Sequence, residues 1–500
     1  MNAVTKRTVT VLTVCLTVSA LILCYSRGIS GNDFWWHIKV GEYVCQNGCI
    51  PDRDIFSWYG MQENISWTPH EWLSDVIFYC LYSFGGGVGI FLFSIASAGG
   101  MIFLVSYRLR NKLFENLPAV LLFICLLTVL SSMFFYGRPH IFSFYLMYWE
   151  LYLLYRFRTD ESFRGIFLLP VIAALWSNLH GGSANLSYIL PAVMLAANLK
   201  GFDYGRLHGG TFTKRQIIVL SVLIPVCAAA ILVNPVGLDV LIYPYKSMSD
   251  SFMLAVISEW ASPDAKEIAQ LICFFLPILL VIHGMLVSEK KLSADDAAYA
   301  LMFLLLFFRS SRFSIMFCIA AAFFAGEYIV PVKSKDLDKR SQRAVVYLVC
   351  AVFAAMGIWG TMRIVRKNNS GKLISMEVEQ EIVDRIKESS PQRLFNDYNF
   401  GTELIFNDVK VFFDSRADLY AQKNIMRDGI ALLMLTQTEE DPESRCPQPK
   451  KIIDKYDFDG FFIDRSRPLY AYLKDCGEFS LEYETDKAAY FIRKQPGEIH

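Results

Sequence analysis

Asn32-Asp33-Phe34-Trp35-Trp36-His37 and Trp67-Thr68-Pro69-His70-Glu71-Trp72-Leu73 bracket a polar, aromatic stretch lying between two hydrophobic segments, and its reading decides the fold. Five of the nine Trp (Trp35, Trp36, Trp58, Trp67, Trp72) fall inside it. An indole has an apolar body and a single N–H donor, which suits a membrane–water boundary. The stretch is therefore expected to be a large first external loop, residues 26–87, lying on the membrane surface. A helix over 33–40 would put Asp33 and His37 four apart on one face, so that a carboxylate and an imidazole point the same way. His70-Glu71 forms a second such pair at the far end. Together these four side chains are candidates for acid/base chemistry or for holding a metal.

The surrounding chain supports a membrane setting. Of 500 residues, 54% are hydrophobic, 15% aromatic and only 19% charged, a balance outside that of ordinary soluble domains. The formal net charge is zero, which argues against nucleic acid as a partner, since binders of polyphosphate carry a basic excess. The Thr8–Tyr25 stretch follows Lys6 and Arg7, lacks a small-residue cleavage site, and reads as a retained first span rather than a signal peptide. Further apolar stretches run approximately over 88–106, 117–136, 140–155, 165–179, 184–199, 217–233, 269–286, 297–308, 313–329 and 344–361. This gives about eleven spans by hydropathy.

Basic residues cluster in every second loop: Arg108, Arg110 and Lys112, then Arg156 and Arg158, then Lys200, Arg206, Lys214 and Arg215, then Lys290 and Lys291, then 333–343. That alternation predicts a cytoplasmic N-terminus and an extracytoplasmic C-terminal part, with Arg363, Arg366 and Lys367 running against it. The expected fold is mostly α. It comprises a polytopic transmembrane helical bundle over 1–362 and a small C-terminal α/β extracytoplasmic domain over 363–500. In the latter, 372–390 predicts a surface helix, Lys410–Asp414 and Asp459–Asp464 short buried strands, and 479–494 a hairpin. No nucleotide-binding glycine fingerprint or P-loop occurs.

The loops on the outer side carry Asp33, His37, His70, Glu71, Arg138, His140, Asn178, His180, Glu259, Asp264, Arg309 and Arg312, including four of the seven His. Carboxylates and imidazoles can take a proton from a hydroxyl or hold a divalent cation. Arginines can grip phosphate bidentately. Plainer roles stand beside these. Asp33 can cap a helix, Glu71 can open one, His140 and His180 can be packed and hydrogen-bonded within the bundle, and Arg309 and Arg312 can meet lipid headgroups. Of twelve Cys, eight lie in apolar segments as small hydrophobes. Cys446 and Cys476 are candidates for a bridge, and Cys45 and Cys49 for sharing a helix face. No zinc-ribbon spacing occurs.

Asp33-Phe34-Trp35-Trp36-His37, Pro69-His70-Glu71-Trp72-Leu73, Trp176-Ser177-Asn178-Leu179-His180-Gly181-Gly182 and Phe412-Phe413-Asp414-Ser415-Arg416-Ala417-Asp418, set among many spans, resemble the GT-C superfamily of integral membrane glycosyltransferases. The likeness is to its bacterial, polyprenyl-phosphate-sugar-dependent type. The resemblance implies a cell-membrane enzyme that moves a sugar from a polyprenyl-phosphate donor to a glycan, lipid or protein acceptor at the outer face. It places the catalytic base at Asp33, with Glu71, His37 and His70 in support, and implies a divalent cation, Mg or Mn, at Asp33 and Glu71. The superfamily's paired acids are replaced here by Asn32-Asp33, leaving Glu71 as the second carboxylate. Arg138, His140, Asn178, His180, Glu259, Arg309 and Arg312 are the expected substrate-binding set. The rival readings are a transporter or flippase of lipid-linked glycans, which would line a path through the bilayer with charge, and a scaffold of the cell envelope.

Overall fold

The protein is described by a computed structural model covering residues 3–28, 31, 33–113, 115–159, 163–249, 261–330, 339–371, 373–374, 376–435 and 448–495. It is mostly helical and divides into two compact units, Met1–Ile29 with Phe84–Ile374, and Ser30–Ser83 with Ser375–His500. Glu259 and Cys446 lie outside the described residues.

The first unit is a helical bundle whose elements start where the sequence offers caps. Thr213 and Gln216 form a reciprocal capping box at the head of the Lys214–Ile231 helix. Asn116 accepts from Ala119 N at 3.2 Å, with Pro118 in the first turn, to open Leu117–Phe134. Five helices among the described residues are long and apolar enough to cross a membrane: Trp72–Arg108, Leu117–Phe134, Phe163–Ser183, Lys214–Ile231 and Ile268–Val287. Thr13–Tyr25, Leu186–Asn198 and Phe313–Phe324 are shorter apolar helices. The His140–Thr159 helix is not among the five; it carries Glu150, Arg156 and Arg158. The Trp72–Arg108 helix is interrupted at Gly86 (φ 53°, ψ −146°), a conformation that a residue with a Cβ avoids. The glycine triplet at 85–87 thus marks a break, and it falls beside the boundary between the two units.

One group of polar side chains in this bundle is paired locally. Arg158 Nη1 donates to Asp295 (2.6 Å) and Asp296 (2.8 Å), both in the first turn of Ala294–Arg309, where negative charge also favours a helix start. Tyr328 donates to Asp296 at 2.8 Å. A small sheet of Phe202–Tyr204, Leu207–Gly209 and Leu292–Ser293 lies near this group in sequence.

The second unit is built around a four-stranded sheet in the order Leu394–Asn396, Gly460–Asp464, Ala488–Arg493, Phe479–Glu484. The first pair is parallel and the others antiparallel. The hairpin expected over 479–494 and the strand expected over 459–464 are both present. Lys410–Asp414 is not a strand of this sheet: it makes a single bridge, Val411 to Ser57, because its backbone groups are taken by Phe56, Trp58 and the Asn396 side chain instead of a sheet neighbour. The surface helix expected over 372–390 is confined to Gln380–Ser389. Phe395, Phe412, Phe413, Phe458 and Phe461 form an aromatic core, with Phe395 and Phe458 centroids 5.1 Å apart edge to face.

The Ser30–Ser83 segment is an integral layer of this unit. Trp58 Nε1 donates to Leu394 O at 2.9 Å, Lys410 Nζ to Ile55 O at 2.7 Å, and the Trp35 ring lies 4.6 Å from that of Phe406. Cys45, Cys49 and Cys476 are free thiols.

Candidate functional site

Asp33 stands at the N-cap of the Phe34–Asn47 helix, and its side chain makes no cap hydrogen bond. The expected helix thus forms, and the plainer capping role of Asp33 is not the one taken. One turn on, His37 is buried at 2% exposure, its ring 3.7 Å from that of Trp36. Its Nδ1 lies 2.6 Å from Asp75 Oδ1 and its Nε2 3.9 Å from Glu71 Oε2. His70 Nε2 is 3.5 Å from the other Glu71 oxygen. Glu71 and Asp75 are four apart at the start of the Trp72–Arg108 helix, so they share a face, and two carboxylates alternate with two imidazoles.

Close approach of the two helices makes this possible. A Cβ on Gly41 would sit 2.1 Å from the Asp75 carbonyl oxygen, so the backbones touch there and only glycine fits. A fifth group comes from the far end of the chain: the partly exposed Asp418 interacts electrostatically with both His70 and Glu71. Burial pushes the Asp418 carboxyl above its usual range, with Glu71 adding to the effect and His70 opposing it. For His70, burial disfavours the charge, but Glu71, Asp418 and Asp75 outweigh it and hold the imidazole's pKa above its usual value. Two buried atoms here, Asp75 Oδ2 and Trp36 Nε1, have no hydrogen-bond partner. His37 and Asp75 are within hydrogen-bond distance and can share a proton, while Glu71 stands 3.9 Å from His37 and acts on it through charge.

Asp418 is held in place by its neighbours. Arg416 is fully buried and bonds Asp54 (Nη1 to Oδ1, 2.8 Å) and Asp414 (Nη2 to Oδ2, 2.6 Å), while Tyr420 donates to Asp414 at 2.5 Å. Its guanidinium lies 4.8 Å from the Trp67 ring centroid. Asp54 also accepts from Phe56 N at 3.0 Å and from Ser57. Burial opposes its charge, but Arg416 and these donors hold its carboxyl below the usual carboxylate range.

In the helical unit, Arg138, His140, His180 and Arg312 form a separate group. His140 and His180 rings are 6.4 Å apart, and Arg138 and Arg312 act electrostatically on His140. His140 Nε2 also meets Phe134 O. His180 Nδ1 lies 2.6 Å from Ser143 Oγ and 2.8 Å from Ser183 Oγ, and Trp176 Nε1 donates to Ser143 at 2.7 Å. Asn178 is engaged with backbone, donating to Val233 O at 2.6 Å and Ala174 O at 2.8 Å. Arg309 ends the Ala294–Arg309 helix, and Asp264 is exposed, accepting from Lys266 N at 2.8 Å.

For the implied cation, the donors do not fit as they stand. Among the described residues no three His, Cys, Asp or Glu side chains are grouped to hold a metal ion, and each Glu71 oxygen faces an imidazole.

No family model matches the chain, and no curated protein matches it. Three solved structures of one protein, the oligosaccharyltransferase of Archaeoglobus fulgidus, do match in fold, each at 12% identity over 90% of this chain. The apo form has a TM-score of 0.51 and is covered over 69% of its length. The form tethered to an acceptor peptide containing the NVT sequon has a TM-score of 0.53 and is covered over 68%. The complex of that protein, AglB, with an inhibitory peptide and a dolichol-phosphate has a TM-score of 0.50 and is covered over 69%. The fold is like that of this oligosaccharyltransferase. At this identity the likeness is one of architecture, and it meets the expectation drawn from the Asp33 and His70-Glu71 segments.

Proposed function

We propose that the protein is a membrane glycosyltransferase that moves a sugar from a polyprenyl-phosphate donor to a hydroxyl or amide of a glycan, lipid or protein acceptor. The observation that carries this reading is the row of Asp75, His37, Glu71 and His70, with Asp33 one helical turn before His37, on a fold like that of AglB, whose solved complexes hold an acceptor peptide and a dolichol-phosphate. Asp33 is the base: it takes the acceptor proton as the acceptor atom attacks the anomeric carbon and the phosphate oxygen leaves with the bonding pair, which inverts the sugar. Glu71, backed by His70, His37 and Asp75, holds the charge that develops as the proton moves. Arg138, Arg309 and Arg312, with His140 and His180, bind the departing phosphate. Glu259 and Asn178 belong to the same proposed substrate-binding set.

The test is sugar transfer in membranes from labelled polyprenyl-phosphate sugar. Asp33→Asn is expected to abolish it while leaving expression and melting temperature unchanged; full activity removes Asp33 as base.

One observation favours a second reading, a flippase of lipid-linked glycans. Glu150 is fully buried midway along the His140–Thr159 helix, and neither carboxyl oxygen has a hydrogen-bond partner. A carboxyl at membrane depth is costly and is commonly part of a transport path. Lipid-linked glycan flipping in vesicles that fails in Glu150→Gln, with no sugar transfer in the parent protein, would select this reading.

A further inference from the structure

The Ala3–Tyr25 and Lys339–Asn369 helices pack backbone to backbone where Gly357 and Gly360 fall. A Cβ on Gly357 would lie 3.1 Å from Ser19 Oγ, and one on Gly360 3.1 Å from the Leu23 backbone. Beside that crossing runs an open groove of about 680 Å³, lined by Ile22, Ala354, Ile358, Met362, Val365 and Arg366. Its volume is within the range of about 300–1,000 Å³ typical of small-ligand sites. The Thr361 hydroxyl on its wall is already spent on Gly357 O at 2.8 Å. Among the described residues lining the groove, Arg366, exposed at one end, is then the single unspent polar side chain.

The same end is basic without compensation. Arg27, Arg363, Arg366 and Lys367 gather there, and neither residues 10–28 nor residues 351–371 contain an Asp or Glu. Lys367 is occupied with the Arg27 carbonyl, which closes a helix C-terminus, and Arg363 lies 4.9 Å from the Trp359 ring. Those two have local reasons to be cationic; Arg366 has none among the described residues. Its charge also runs against the alternation of basic loops that otherwise orients the chain. A hydrocarbon groove with one cation at its mouth complements a molecule with an apolar tail and an anionic head.

We propose that this groove is a binding site for one anionic diacyl phospholipid, an acyl chain lying along Ile22, Ala354, Ile358 and Met362 and the phosphate paired with Arg366. It is independent of any donor site and goes beyond the transferase reading. A soluble phosphate ester would leave the hydrocarbon wall unmet, and a second copy of the chain would bring another uncompensated basic end to the same place.

The test is native mass spectrometry of the full-length protein released from detergent after equilibration with phosphatidylglycerol, with phosphatidylcholine and glycerophosphate as comparison probes. One phosphatidylglycerol is expected to remain on the wild type, and its affinity to fall about tenfold in Arg366→Gln, as suits loss of one charge-assisted contact. Ala354→Phe, which fills the groove and leaves the charge, is expected to weaken it comparably. Equal retention of phosphatidylglycerol by all three proteins, equal binding of glycerophosphate, or a dimer that displaces the lipid would each overturn the proposal. Because the readout is a bound mass, it is unaffected by whether the protein transfers sugar.

Discussion

Arg416 and Asp54, 362 positions apart in the chain, meet at 2.8 Å with both side chains fully shielded from solvent. The pair joins the Ser30–Ser83 segment to the last third of the chain inside one compact unit, and Asp414 and Tyr420 complete the satisfaction of the guanidinium. Removing one partner of a buried ion pair leaves the other charge uncompensated, which costs about 3–5 kcal/mol. Arg416→Met is therefore expected to lower the denaturation midpoint followed by Trp fluorescence, Trp58 and Trp67 being in the same layer. Asp54→Asn in the Arg416→Met background should recover part of the loss, and simple additivity of the two would show that the residues are not coupled.

Gly41 offers a steric test of the candidate site. With a Cβ there aimed at the Asp75 carbonyl, Gly41→Val forces the two helices apart and should cost roughly 1–3 kcal/mol, as overpacking does. Because His37 is one turn earlier on the same helix, its contact with Asp75 is lost as well. Transfer activity is expected to fall even at temperatures where the variant stays folded, which limited proteolysis can establish.

Asp75→Asn tests the relay more directly. The amide keeps the shape and bonds the His37 ring but cannot carry charge, so the transfer rate should drop on the order of 10²-fold. The rate against pH decides the matter: a loss uniform across pH 5–9, accompanied by a lowered melting temperature, would assign Asp75 to packing alone.

Glu403 gives a pH dependence of stability. Burial pushes its carboxyl up to about 7, although the Glu377 and Val378 amides donate to it at 2.8 Å and favour the charged form. A folded-state value above the unfolded one means that folding favours the protonated acid. The stabilisation is full below the unfolded value near 4.5 and is lost as pH rises through about 7. The gap corresponds to roughly 3 kcal/mol at about 1.4 kcal/mol per unit. The melting temperature should fall between pH 5 and pH 8, and Glu403→Gln should flatten that fall.

The sequence made the membrane setting, the helix at Phe34, the Gly460–Asp464 strand and the 479–494 hairpin legible, because each rests on local pattern. His37, His70 and Glu71 were legible for the same reason, as polar groups among Trp residues. Asp75 follows Glu71 by one helical turn, a spacing that in a helix sets the two carboxylates on one face. Asp418 lies in a conspicuous run, Phe412 to Asp418, but nothing local tells that it meets His70 and Glu71. The Arg416–Asp54 pair was out of reach, since period and composition carry no information across 362 positions. The Lys410–Asp414 run looked like a strand because it is buried, and burial alone does not distinguish a ladder from an aromatic-lined turn.

The long separation of Asp54 from Arg416 also bears on biogenesis. At translation rates of about 5–20 residues per second, the ribosome needs roughly 20–70 s after making Asp54 to reach Arg416. Throughout that interval the Asp54 carboxylate, and the Trp residues beside it, must wait without their eventual covering. A nascent chain stalled before Arg416 should therefore be a good substrate for quality-control proteases, cleaved in the 30–83 segment while the spans already made are spared.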